Sequence, residues 1–138
     1  MDYDGHFTRL SGDECRQLLR ARSVGRLSWL SANGLEILPV TYLVCGEKIA
    51  FRTRSDTIMG EMLAGREVSF EIDDVDEDTA TGWSVLVRGR AQGYEEPYPD
   101  GVDLPQPWAP GEHPVLVVIE PQTYSGRAVS ATTGGAEC

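Results

Sequence analysis

Apolar residues along this chain change their spacing more than once, and each change predicts a different kind of element. Ser11-Gly12-Asp13-Glu14 reads as a capping box, with Ser11 as the cap and Glu14 reaching back from three residues on. The helix it opens is predicted to run to about Ala21, with Leu18 and Leu19 on its apolar side. From Val24 the pattern alternates, as on a strand with one buried face. Val24 to Ser31 is predicted as a strand, Asn33-Gly34 as a hairpin turn and Leu35 to Val44 as the return strand. Pro39 inside that strand cannot donate to a ladder, so it marks an edge, a bulge or a ligand-facing break.

A second tight turn at Cys45-Gly46-Glu47 leads to a strand over Ile49 to Thr53. Ser55-Asp56-Thr57 offers cap chemistry for a short helix, about Thr57 to Ala64, which Gly65 stops. Val68 to Ile72 is the next strand, then a loop rich in aspartate, then a long strand from Trp83 to Tyr94. Residues 97–114 hold six of the eight prolines and predict an extended loop or crossing arm. Val115 to Glu120 is the last predicted strand, and residues 130–138 read as a disordered tail. About six strands, two short helices and short turns make a mainly β protein, a barrel rather than a sandwich, over residues 1–129. The βαβ alternation of a doubly wound fold is absent, as is any G-x-G-x-x-G motif.

Length and charge narrow the function. A chain of 138 residues suits one domain with a real core. Its formal net charge of −10 repels nucleic acid and anionic lipid, whose binding depends on Lys and Arg neutralising phosphates. No apolar run approaches the roughly 20 residues that span a bilayer. The acidic start Met1-Asp2-Tyr3-Asp4 lacks the features of a signal peptide, so a cytoplasmic location is expected. Lys48 is the sole lysine and lies in a turn, which excludes covalent Schiff-base chemistry. Cys15, Cys45 and Cys138 are too few and too scattered for a disulfide framework; Cys15 and Cys45 read as small buried or half-buried apolar residues.

Few constellations carry chemistry. Asp74, Asp76 and Asp78 match three positions of a calcium loop, but Thr79 and Val85 replace the glycine and the bidentate glutamate that define it. A solvated acidic turn is the better reading. His6 and His113 lie far apart, and no metal site is expected. Ser84 lacks the second glycine of a nucleophile elbow. In Phe51-Arg52-Thr53-Arg54-Ser55-Asp56-Thr57 a strand ends in arginines and hands over to a helix start, where free N–H groups and the helix dipole suit a phosphate. Asp56 opposes an anion there. A capped surface helix beside solvated arginines is the competing reading.

Five segments taken in order bear a resemblance to a known family: Val24-Gly25-Arg26-Leu27, Ile37-Leu38-Pro39-Val40-Thr41-Tyr42, Phe51-Arg52-Thr53, Val68-Ser69-Phe70-Glu71-Ile72-Asp73, and Gly82-Trp83-Ser84-Val85-Leu86-Val87-Arg88-Gly89-Arg90-Ala91. Together they resemble the pyridoxamine 5′-phosphate oxidase-like family, in particular its short bacterial flavin-binding branch, over about residues 8 to 128. The resemblance implies a six-stranded antiparallel split β-barrel, a homodimer with two FMN sites at its interface, and a small-molecule substrate. It implies that Pro39, Val40, Thr41 and Tyr42 line the isoalloxazine ring, and that Arg52 and Thr53 approach the ribityl chain and phosphate. Ser55 and Thr57 would sit at the helix start; Trp83 and Ser84 would lie near the interface, reaching the other subunit's cofactor.

The chain also departs from the family pattern. Relatives often carry a glycine and then a lysine at this helix start, where the chain has Asp56 and Ile58. Losing a cation beside a dianion forfeits a charge-assisted bond worth about 1.5–3 kcal/mol. Two functions follow as expectations. One is an FMN-dependent oxidoreductase with no catalytic residue assigned, the electron transfer being the cofactor's chemistry. The other is a non-catalytic binding protein on the same scaffold, holding a deazaflavin, haem or another ligand, or no cofactor. A purely structural homodimer, with Trp108 of the proline-rich arm packing across the partner, is a third.

Overall fold

In a computed structural model the described residues are 6–54, 58–98, 112 and 115–130. The capping box closes as its residues require: Ser11 Oγ accepts from Glu14 N at 3.1 Å, and Glu14 Oε1 accepts from Ser11 N at 3.0 Å. Helix α1 (Gly12–Ala21) buries Cys15 and Leu19 against the sheet. The alternating segments become strands β1 (His6–Leu10), β2 (Val24–Ser31), β3 (Gly34–Thr41), β4 (Leu43–Cys45), β5 (Lys48–Thr53), β6 (Arg66–Asp76), β7 (Thr81–Tyr94) and β8 (Val115–Ser130). A 3-10 helix, Ile58–Ala64, follows β5 and ends at Gly65, whose φ of +76° suits glycine.

All pairings are antiparallel, in the order β3-β2-β6-β7-β8-β5-β4, with β1 also on β8. The two ends of this order, β3 and β4, are consecutive in the chain and joined by Tyr42 alone. The sheet therefore curls until its ends meet through the covalent chain, giving a split barrel. Its interior is filled by Leu27, Phe51, Met62, Phe70, Ile72, Val85 and Val87, all fully buried. Gly25 is glycine because Phe70 occupies the space a Cβ would need. Phe70 meets Tyr42 edge to face at 4.9 Å, so the β2–β6 wall and the Tyr42 corner share one aromatic contact.

The expected barrel is present, with eight strands among the described residues rather than six. The return strand breaks at Tyr42 into β3 and β4 instead of running unbroken to Val44. The hairpin loop is Ala32-Asn33, with Gly34 opening β3 at φ +110° and pairing with Ser31. β6 continues past Ile72 to Asp76, its acidic end held by Arg22–Asp74 and Arg26–Asp73 ion pairs. β8 runs on from Glu120 to Ser130, so Ser130 belongs to the sheet and not to a tail. Pro121 pairs with Gly89 beside a bulge, where the β7–β8 register slips past Gln122.

The acidic turn is a turn, Asp76 Oδ1 accepting from Asp78 N and Thr79 N at 3.0 and 3.2 Å. Val115 to Ile119 is buried on consecutive residues because its outer face is covered too: Tyr98 packs there on Ala50, Leu116 and Val118. Trp108 and most of the proline-rich arm lie outside the described residues, as does 131–138.

Candidate functional site: a gap between two sheet edges

Among the described residues β3 is paired only with β2, and its other edge carries no ladder. β5 is paired to β8 along Ile49 to Thr53, but among the described residues its pairing with β4 reaches only as far as Ala50. These two edges approach each other across the split, since β3 comes into contact with β5 although no pairing joins them. The β4–β5 register ends at Leu43↔Ala50, and from there β3 and β5 diverge on either side of Tyr42. Two segments named from the sequence thus bound one gap. Its backbone N–H and C=O groups are free of ladder bonds, so a planar heterocycle with donors and acceptors on its rim has edges to bind.

Strand alternation then sorts the side chains. Pro39, Thr41 and Arg52 belong to the outer face, Pro39 exposed and the other two half-buried. Val40 points the other way, packing on the core. Tyr42 is fully buried: its hydroxyl donates to Leu19 O at 2.7 Å, and its N–H to Ser23 O at 2.9 Å. Burial pushes its pKa up to about 12, so the phenol stays protonated. Thr53 is likewise internal, its hydroxyl donating to Met59 Sδ at 3.4 Å. Ile58 packs on the core as well, so the position where relatives carry a cation is used here to seat the 3-10 helix. Ser55, Asp56 and Thr57 lie outside the described residues.

Trp83 and Ser84 are not brought to the gap within one chain. They lie on β7, three strands from β3, or about 14 Å at the usual inter-strand spacing. Trp83 packs on the core under the Arg22 guanidinium, 5.5 Å from its ring centre. Ser84 lines an outer groove of about 400 Å³ with Glu71, Asp73 and Arg127. Arg26 bridges Glu71 and Asp73 at 3.2 and 3.1 Å. Burial, and then the neighbouring Asp73, hold the Glu71 carboxyl above the usual range. Among the described residues no cluster of His, Cys, Asp or Glu could hold a metal, and no helix is long and apolar enough to cross a membrane.

Sequence reasoning missed Glu61. Its carboxylate accepts from Trp29 Nε1 and from Ala32 N, both at 3.0 Å, tying the 3-10 helix to the β2–β3 hairpin. These two donors, the indole first, hold its pKa below the usual range. Both partners lie about thirty residues away in the chain, so no local motif announces the contact.

Comparison with known proteins agrees with this architecture. The family model for pyridoxamine 5′-phosphate oxidase matches residues 11–128. An uncharacterized protein of Mycobacterium tuberculosis is 33% identical over 129 residues, 88% of this chain and 85% of that protein. The FAD-binding protein of Mycobacterium smegmatis superposes with a TM-score of 0.68 at 29% identity, over 89% of this chain and 98% of that one. A Corynebacterium glutamicum protein with a provisional pyridoxamine 5′-phosphate oxidase assignment superposes with a TM-score of 0.74 at 26% identity, over 93% and 96%. On the family match and the split barrel together, this chain belongs to the pyridoxamine 5′-phosphate oxidase family.

Proposed function

We propose that the chain binds a flavin, FMN in the first instance, along the split, and acts as a flavin-dependent oxidoreductase on a small-molecule substrate in the cytoplasm. The observation that carries this reading is the pair of edges, β3 and the end of β5, that come into contact with no ladder between them among the described residues. The ring end suits the group well: backbone donors and acceptors of β3 can meet the rim of an isoalloxazine, while Pro39 offers it an apolar surface without competing as a donor. At the phosphate end the fit rests on Arg52, because Ile58 is committed to the core. When bound, the flavin supplies the hydride or electron transfer. The chain's own part would be to hold and orient it. The solved relative from Mycobacterium smegmatis binds FAD, which makes FAD the natural competitor for this site.

The same reading includes a homodimer. Trp83 and Ser84 stand too far from the split of their own chain, so they serve it only as Trp83 of the partner subunit and Ser84 of the partner subunit. The outer face of β2 and β3 exposes Leu30, Leu35 and Ile37 in one patch, and Leu35 is 83% exposed. Burying that patch between two copies would cover the split from above.

The second reading, a non-catalytic carrier for a deazaflavin, haem or other ligand, is favoured by one observation: the inward Ile58 in place of a phosphate-binding cation. Absorption spectra of the purified protein, followed by titration with FMN and FAD, separate the two. Flavin bands, and a loss of affinity of about ten- to a hundredfold in Arg52→Ala, support the proposal, since one charge-assisted bond is worth about 1.5–3 kcal/mol. A colourless protein that takes up neither flavin sinks it, and a Soret band promotes the second reading. Light scattering on Ile37→Glu should show a shift from dimer to monomer; a monomeric parent protein removes the shared site.

A further inference from the structure

We infer that Glu61 is a brace that sets the width of the split, and through it the affinity of the site for flavin; the second half of this rests on the flavin reading above. The split is open to hydrogen bonding, so its width must be set by something other than a ladder. At one end the covalent corner does this: Tyr42 joins β3 to β4, is fully buried, and is pinned to Leu19 O and Ser23 O. At the other end the chain must be held side to side, and Glu61 is placed to do it.

The 3-10 helix belongs to the body of the barrel on the β5 side. It follows β5, and Thr53 Oγ1 donates to Met59 Sδ at its start. Gln92 Nε2 donates to Leu63 O at 2.9 Å, and Gly93 lets β7 come so close that a Cβ there would meet the backbone of Leu63 at 2.9 Å. The β2–β3 hairpin belongs to the opposite side of the split. Glu61 links the two with both oxygens, one on the indole N–H of β2 and the other on the Ala32 N–H of the hairpin loop. A carboxylate can do this because both partners are donors and it is an acceptor at each end. An amide of the same shape can satisfy only one, since its NH₂ would face the other donor.

A further detail fits a positioning role rather than a packing role. The Glu61 carboxyl works at the surface, with Trp29 Nε1 and Ala32 N as its donors and Arg66 as the nearby cation. Removing the carboxylate takes the acceptor from the Trp29 indole N–H and from Ala32 N but no apolar side chain from the core.

Glu61→Gln is therefore the test, with Glu61→Ala beside it as the full deletion. In the flavin-free protein, hydrogen–deuterium exchange should accelerate at Ala32 and along 35–41 by about tenfold, the worth of one charge-assisted bond, while 68–76 and 83–93 keep the parent rate. FMN and FAD dissociation constants should rise by a similar factor, about tenfold, with the bound-flavin absorption band shifted as its surroundings loosen. Unchanged exchange in the hairpin overturns the brace. Faster exchange with unchanged flavin affinity overturns its role in the site. A uniform acceleration through 68–76 and 83–93 marks general destabilisation and also overturns it. If the parent protein binds neither flavin, the proposed function falls on that result alone, and the exchange rates still decide the brace.

Discussion

The wall formed by β6, β7 and β8 and the split between β3 and β5 are built from similar residues and behave in opposite ways. In the wall every strand has a partner on both sides, and β7 is laddered to β8 along its whole length. In the split two edges come into contact with no ladder between them. The wall puts its polar backbone groups into hydrogen bonds and its apolar side chains into the core, so it carries stability. The split keeps backbone groups available, so it can carry a ligand. One curled sheet holds both because its two ends are joined by a single residue, Tyr42.

Four substitutions break or sharpen this contrast. Phe70→Ala cuts into the wall where Gly25 and Tyr42 lean on one ring, and should cost about 3–5 kcal/mol in a denaturant titration. Arg52→Ala touches the split, so flavin affinity should fall by about 1.5–3 kcal/mol, more than the flavin-free unfolding free energy does. Equal loss in both measurements would erase the distinction between the two regions. Tyr42→Phe tests the corner that joins them: losing the 2.7 Å bond leaves Leu19 O without its partner and should cost about 1–2 kcal/mol in thermal unfolding.

The smallest effect concerns Glu71 on the outer face. Its folded pKa is raised, so the folded state holds the proton more tightly than the unfolded chain. Its contribution is therefore fully present below the ordinary glutamate range and is lost as pH rises through the raised value. The stability of the parent relative to Glu71→Gln should fall slightly between acid and neutral pH; a flat or rising difference contradicts the assignment.

Much of the barrel was legible in the sequence, because one-sided burial writes a period of two. β2 and the core of β7 show it plainly, and the capping box at Ser11 announced α1. What was illegible lacks that asymmetry. In β1, the acidic end of β6 and the second half of β8 no described side chain is fully buried, although Leu10 and Tyr124 pack on the core. Aspartates and Pro121 there read as loop, yet Asp73 and Asp74 are held by arginines and Pro121 sits at a bulge.

The candidate site divides in the same manner. Arg52 and the Pro39–Thr41 segment could be named from their resemblance to a family pattern. That Val40, Tyr42 and Thr53 turn inward follows only from the register around the barrel. Glu61 had no signal at all, since a contact made across about thirty residues depends on a curl no local window contains.

β8 is the last of the described strands in chain order, yet it is the one on which β7, β5 and β1 all depend. During synthesis at roughly 5–20 residues per second, β1, β5 and β7 leave the ribosome well before their shared partner exists. The barrel must then assemble largely in one late step, dominated by contacts distant in sequence, which predicts slow and cooperative folding. Until that step β5 and β7 offer bare edges to other chains. A nascent chain arrested before Val115 should therefore aggregate rather than form a smaller, stable sheet.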